Sequence, residues 1–186
     1  MKIILMRHGQ TDYNLSGINM GRRLDASVND TGKTQIEQTI PEIKSLNPEV
    51  IISSPMRRTR ESAEIIQKAL GTPMEFDDRI MEIDTGSMSG KNKAEVARLM
   101  ELSLEGAIHQ YRMGQYDYTP FGGESAQDIL VRAEAFLKDL VKRKEKCVIV
   151  MCHGGIVRAL HKLITGDSTL IDQGIPNAVL IVLEYG

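Results

Sequence analysis

Arg7 and His8 stand side by side at the end of a short apolar run, Lys2 to Met6, and lead into Gly9-Gln10-Thr11 with Asn14 three residues further on. A guanidinium can hold two oxygens of a phosphate at once, and a neutral imidazole beside it can attack phosphorus. Gly9 would let the chain turn sharply and come close to a bound group. Taken alone, this stretch also fits an exposed strand end with an incidental histidine. Two further apolar runs end in comparable chemistry. Val50-Ile51-Ile52 leads to Ser53-Ser54-Pro55-Met56-Arg57-Arg58, and Cys147 to Cys152 leads to His153-Gly154-Gly155.

If these runs are parallel strands of one sheet, their carboxyl ends share an edge, which is where open α/β folds place their ligands. The edge would collect His8, His153, Arg7, and Arg57 or Arg58, together with backbone N–H groups at two helix N-termini that favour anions. Two histidines with no convergent cysteine, and carboxylates confined to loops, fall short of a zinc pattern, so neither a metal nor another cofactor is expected. Phosphoryl transfer without a metal needs positive charge around the equatorial oxygens and a nucleophile in line with the leaving oxygen. Arginines beside a histidine disfavour the imidazolium and keep a ring nitrogen free to attack. A carboxylic acid must then protonate the departing alkoxide, and Glu82, closing the segment Ile80-Met81-Glu82, is the candidate.

The elements that must position these groups follow from periodicity and breakers. Residues 12–30 read as a loop by their Gly, Asn and Asp content. Ile36, Ile40 and Ile43 have helical spacing, with Pro41 predicting a kink or break. Arg57 to Leu70 reads as a helix stopped by Gly71 and Pro73, and Met74 to Phe76 as a short strand. Residues 86–90 form a loop and Lys93 to Leu104 a helix, while 106–123 carries four glycines and three tyrosines and resists assignment; the stretch at about 86–123 is expected to be a lid or insert over the site. Ser125 would cap a helix reaching Lys144 with Ile129, Ala133, Phe136, Leu137 and Leu140 inward. A helix from Ile156 to Ile164 and a strand from Asn177 to Leu183 complete an α/β chain, a three-layer α/β/α fold around a mostly parallel, mixed sheet.

The chain has 186 residues, enough for one domain with a sizeable core, taken here as 1–186. Its formal net charge is −2 and its pI near 6.1, so no global basic field favours nucleic acid or anionic lipid, and the basic residues do not interleave with aromatics. An anionic substrate would be held by a local arginine cluster. Cys147 and Cys152, five apart in one strand, are poorly placed to pair and read as reduced thiols of a cytoplasmic protein. The N-terminal apolar run is too short for a signal peptide and no stretch approaches a membrane span. Arg22, Arg23, Arg57 and Arg60 form a local basic group, most simply a solvated face. Tyr111, Tyr116 and Tyr118 are expected to pack within the insert, and His109 and His161 carry no assigned role.

Arg7-His8-Gly9-Gln10-Thr11 with Asn14, Ser53-Ser54-Pro55-Met56-Arg57-Arg58 with Glu61-Ser62-Ala63, Glu82 with Gly86 and Gly90, Gly122-Gly123-Glu124-Ser125, and His153-Gly154-Gly155 with Arg158 occur in that order along almost the whole chain. The ordered set resembles the histidine phosphatase superfamily, in its phosphoglycerate mutase-like branch (branch 1). The resemblance implies that His8 is transiently phosphorylated, that Arg7, Arg58 and His153 grip the phosphoryl group with help from Asn14, Thr11, Gly21 and the Gly154 backbone, and that Glu82 is the proton donor. It selects Arg58 over Arg57. Met20 departs from the pattern, standing where many relatives carry a polar residue, and Gly21 to Asp25 is one residue longer than usual.

Gly90 to Glu95 is similar to the mutase form of this family, in which Lys93 would hold a glycerate carboxylate. The paired arginines expected for that carboxylate are absent from 106–118, where Arg112 stands alone, and Gly155 replaces the asparagine of glycolytic mutases. The expected function is therefore hydrolysis of a small phosphorylated substrate, with phosphoglycerate mutase-type phosphotransfer as the alternative. A silent binding module would lack a member of the core cluster, and none is missing. Substrate identity and oligomeric state are not legible.

Overall fold

The computed structural model describes residues 1–167 and 174–186. Five strands, β1 (Lys2–Arg7), β2 (Val50–Ser53), β3 (Met74–Phe76), β4 (Cys147–Cys152) and β5 (Leu180–Glu184), form one sheet in the order β3-β2-β4-β1-β5. The first four are mutually parallel and β5 runs antiparallel along β1. β4, at the centre, is buried at every residue, as its unbroken apolar run requires of a strand covered on both faces.

The period-2 alternation of side chains sorts the strands onto two cores. Ile3, Leu5, Val148 and Val150 face helices α6 (Ala126–Leu140) and α7 (Gly154–Thr165) through Phe136, Leu137, Ile156 and Leu160. Ile4, Met6, Ile149 and Met151 face α2 (Asp30–Leu46) and α3 (Arg57–Leu70) through Ile36, Ile43, Ala63 and Ile66. Three layers, α/β/α, result. Ser125 caps α6 in a reciprocal box with Asp128, worth about 1 kcal/mol. Among the described residues no helix is long and apolar enough to cross a membrane.

Several expected boundaries are displaced. α2 continues through Pro41; the lost interior hydrogen bond is outweighed by burial of Ile36 and Ile43 on either side of it. Asp12–Leu15, within the expected loop, forms a helical turn, α1, capped by Thr11 and Asn14. Ile80 to Glu82 is not a strand: Asp77 caps a 3-10 turn over Asp78–Ile80 and the chain then runs on irregularly. The helix expected from Lys93 to Leu104 ends at Leu99 (α4), because Glu101 takes a left-handed φ of 56° and Ser103 starts α5 (Leu104–Met113). The rest of 106–123 is thus ordered as α5 and a 3-10 turn at Thr119–Phe121. α6 stops at Leu140 rather than Lys144, and α7 begins at Gly154, immediately after β4.

The expected role of Gly9 needs revision. A Cβ there would lie 2.5 Å from the Gly32 carbonyl oxygen, and one on Gly32 would lie 2.3 Å from the Gln10 carbonyl oxygen. The two glycines let the chain beyond β1 lie directly on the start of α2. Gly9→Ala should therefore destabilise the fold by about 1–3 kcal/mol through overpacking against backbone. Urea unfolding monitored by circular dichroism measures this; unchanged stability would mean that the two segments separate freely.

Candidate active site

The register of β1 on β4 pairs Arg7 with Cys152, and the ladder continues one step as the His8 N–H donates to the Cys152 carbonyl. His8 and His153 are thereby delivered side by side, their rings 5.4 Å apart and edge-on. β2 adds Ser54, whose N–H donates to the Met151 carbonyl and whose Oγ lies 2.9 Å from His153 Nε2. Both histidines are almost wholly buried.

His8 Nδ1 lies 2.7 Å from the Gly9 carbonyl oxygen. A carbonyl only accepts, so Nδ1 carries the proton and the lone pair of the neutral ring sits on Nε2. Burial, then Arg58 and Arg7, push the His8 pKa well below its ordinary value. Burial, then Arg58 and His8, do the same to His153. Both rings are neutral at pH 7, and the backbone contact leaves the available lone pair of His8 on Nε2.

Arg58, on the first turn of α3, is 1% exposed. Its Nη1 and Nη2 donate to the carbonyls of Leu24 and Gly21, each at 3.0 Å. Burial lowers its pKa to about 10, so it remains a cation. Arg7 Nη1 donates to the Ile175 carbonyl. The Nε atoms of Arg7 and Arg58 and Nδ1 of His153 are buried without a hydrogen-bond partner among the described residues. The two unsatisfied arginine Nε donors, positively charged and grouped beside neutral imidazoles, suit an oxyanion. Gly154, the first residue of α7, lies against the Arg7 guanidinium and adds a helix N-terminus. The second N-terminus expected at the site is otherwise engaged, since the first N–H of α3, on Arg57, donates to Asp25 Oδ1 at 2.7 Å.

A cleft of about 400 Å³ opens on this cluster. Arg7, His8, Asn14, Gly21, Arg58, Glu82, Lys93 and Gly154 all line it. Thr11 and His153 do not: Thr11 is fully buried, its hydroxyl contacting Asn14 Oδ1 and Met20 Sδ, so it supports the loop behind the site, and His153 is fully buried against His8 and Ser54. Gly21 contributes a carbonyl to Arg58, and its φ of 52° and the Thr85 hydroxyl 2.5 Å from a notional Cβ explain the glycine. Met20 faces the cleft. The distal wall consists of Ile18, of Val96 in α4, of Met100 just beyond it and of Leu104, Ala107 and Ile108 in α5, an apolar surface, and Lys93, Arg112 and Arg158 line the same cleft. Among the described residues no three His, Cys, Asp or Glu side chains are grouped to hold a metal ion.

Sequence reasoning passed over several neighbours. Asn177 Nδ2 reaches both the His8 carbonyl, at 3.1 Å, and Asn14 Oδ1, at 3.2 Å; it comes from the far end of the chain, and nothing local marks it. Ser62 Oγ accepts the Gly9 N–H at 3.0 Å. Tyr111, Tyr116 and Tyr118 do stack on one another, with centroids 5.5 and 5.6 Å apart, but Tyr111 and Tyr118 also line the cleft. The basic group divides: Arg57 and Arg60 pair with Glu61 and Glu64 on their own helix, whereas Arg22 and Arg23 pair over long range with Glu124 and Asp84.

The family profile described as Histidine phosphatase superfamily (branch 1) matches residues 3–186. A glucosyl-3-phosphoglycerate phosphatase of Mycolicibacterium vanbaalenii is 28% identical over 193 residues, covering 98% of this chain and 83% of the relative. A Salmonella paratyphi A protein named probable phosphoglycerate mutase GpmB is 31% identical over 167 residues, covering 89% of this chain and 75% of that protein. Among solved structures, a mycobacterial glucosyl-3-phosphoglycerate phosphatase in complex with VO3 superposes with a TM-score of 0.83 at 27% identity, covering 98% of this chain and 92% of the other.

The two buried neutral histidines carry a signature in stability. Below pH 6.5 the unfolded chain takes up protons that His8 and His153 refuse in the fold, so stability is full above that value and falls as the pH drops. Each histidine contributes a slope approaching about 1.4 kcal/mol per pH unit. Urea unfolding between pH 7.5 and 5.5 should show this fall, and His8→Gln should remove part of the slope. An equal slope in the variant would contradict the buried neutral ring.

Proposed function

We propose that this chain, which belongs to the histidine phosphatase superfamily (branch 1), is a metal-independent phosphomonoester hydrolase that works through a phosphohistidine on His8. The observation that carries the reading is the His8 ring: its proton is on Nδ1, which leaves the lone pair on Nε2, and it sits among two buried arginines whose Nε donors have no hydrogen-bond partner among the described residues. The phosphatase relatives support hydrolysis as the class of reaction.

In the first step the His8 Nε2 lone pair forms a bond to phosphorus while the P–O bond to the alcohol breaks. The guanidiniums of Arg7 and Arg58, the His153 ring and the start of α7 at Gly154 stabilise the negative charge on the equatorial oxygens. Asn14, held by Asn177, completes the cradle. Glu82 gives its proton to the leaving oxygen, and the alcohol departs. In the second step a water attacks the phosphohistidine, Glu82 takes the water's proton, and phosphate leaves with His8 restored to its neutral form.

The distal wall favours a phosphatase over a mutase. Carboxylate capture calls for convergent cations; the α4–α5 wall is largely aliphatic, with Lys93, Arg112 and Arg158 the cations of the lining beyond Arg7 and Arg58. The substrate is a small phosphomonoester whose alcohol portion rests on that surface. Lys93 does line the cleft, and this supports mutase-type phosphotransfer as the second reading.

A paired assay separates them. Phosphate release from an aryl phosphate and from 3-phosphoglycerate is measured with and without chelator, beside isomerisation of 3- to 2-phosphoglycerate after priming with the bisphosphate. Release that survives chelation, without isomerisation, is expected. Isomerisation without release would favour the mutase, and silence in both arms would favour a binding module. His8→Ala should fold and lose turnover entirely, because it deletes the nucleophile from a polar cleft. Retained turnover in that variant would overturn the phosphohistidine step.

A further inference from the structure

Glu82 belongs to neither helix nor strand. It follows the 3-10 turn at Asp78–Ile80 and precedes the turn at Gly86, so no ladder fixes its backbone. Its placement is instead set by long-range contacts. The Glu82 carbonyl accepts from Arg22 Nε at 3.2 Å and from Arg132 Nη2 at 3.3 Å. Those guanidiniums come from opposite directions, the first from the loop after α1 and the second from α6. Both are tied to one carboxylate: Glu124 accepts from Arg22 Nη2 at 2.9 and 3.0 Å and from Arg132 Nε and Nη2 at 3.2 and 3.3 Å.

Glu124 also grips the chain two residues beyond Glu82. Its Oε2 accepts the Asp84 N–H at 2.8 Å, while its own N–H donates to the Asp84 carbonyl at 2.7 Å. Gly123 permits that approach, since a Cβ there would lie 2.4 Å from the same carbonyl oxygen. Arg132 Nη1 donates to the Arg79 carbonyl at 2.5 Å. The 79–84 segment is thus held at Arg79, Glu82 and Asp84 by one ion cluster. On its other side the Glu82 carboxyl abuts α7, where a Cβ on Gly155 would come within 2.9 Å of Oε1. Arg22, Glu124 and Arg132 are not among the residues lining the cleft, so contact with substrate does not account for them. Taking three charges largely out of water is costly, and here their hydrogen bonds converge on the peptides flanking one carboxyl group.

We propose that the Arg22–Glu124–Arg132 cluster is a positioning device for Glu82, holding its peptide so that the carboxyl faces the leaving oxygen. The inference rests on the reading of Glu82 as proton donor. The cluster acts on the step in which the His8–phosphorus bond forms, the P–O bond breaks and the Glu82 proton moves to the departing oxygen. Its influence must then depend on how much the leaving group needs that proton.

The test compares kcat/KM for phenyl phosphate, a poorer leaving group, with that for p-nitrophenyl phosphate, which departs with little help. kcat/KM is the right quantity because it reports the first step even if phosphohistidine hydrolysis limits kcat. In Glu124→Gln, which keeps the shape and the acceptor for Asp84, phenyl phosphate turnover should fall by about tenfold or more, a portion of what general acid catalysis supplies, and p-nitrophenyl phosphate turnover by less than about twofold. Arg22→Lys, on a half-buried loop, should show the same split and serves if Glu124→Gln does not fold. Equal losses on both substrates, or no loss on either, would overturn the proposal. Glu82→Gln is the reference: a split there without one in the cluster variants rejects the positioning role alone, and its absence there rejects the proton-donor reading and this inference with it.

Discussion

The β1–β4 pairing is the constraint on which the site depends. One register brings Arg7 opposite Cys152, and it places His8 and His153 one residue past the ladder on the same edge, rings in contact. A slip of one residue would turn each apolar side chain of β1 from one core to the other, exchanging Ile3 and Leu5 with Ile4 and Met6 between two packed layers. The energy that fixes the histidine pair is therefore the hydrophobic sorting of apolar strand residues that lie outside the cleft. Ser54 from β2 and the immediate start of α7 at Gly154 follow from the same edge.

Positive charge at this edge is maintained against burial. Arg58 is almost fully enclosed, yet two loop carbonyls, of Gly21 and Leu24, replace much of its hydration, and Arg7 takes the Ile175 carbonyl. Neutral dipoles satisfy part of each guanidinium without cancelling its charge, so the field reaches the cleft. Burial first, and this field second, keep both imidazoles neutral. Cationic grip and nucleophilic ring are thus two consequences of one arrangement, with the ring's free nitrogen selected by the Gly9 carbonyl.

The acid side is organised differently. His8 and His153 inherit their places from strands, whereas Glu82 sits on irregular chain and depends on groups from residues 22, 124 and 132. The glycines at 123 and 155 serve close approach around it. α4 and α5 contribute a distal wall whose residues are mostly aliphatic, set apart from the arginine and histidine cluster.

The sheet, its two covering layers and the gathering of Arg7, His8 and His153 were legible in the sequence, because continuous apolar runs ending in functional residues are local patterns and parallel strands share an edge; the choice of Arg58 over Arg57 came from the family resemblance. Capping of α6 by Ser125 was legible for the same reason. The two-helix build of the distal wall was not, since it turns on a left-handed φ at Glu101, and a residue without glycine's freedom gives no advance sign of that conformation. Nor was the fate of Arg22: its neighbours in sequence suggest a solvated basic face, and only the fold brings Glu124 to it across a hundred residues. Asn177 is hidden likewise, because its partners His8 and Asn14 lie at the other end of the chain. The sequence by itself determined which groups could do the chemistry and on which edge they would gather. The tertiary structure alone decided what holds Glu82 and what surface the cleft presents beyond the histidines, since each depends on contacts between residues whose sequence neighbours carry no information about the partner.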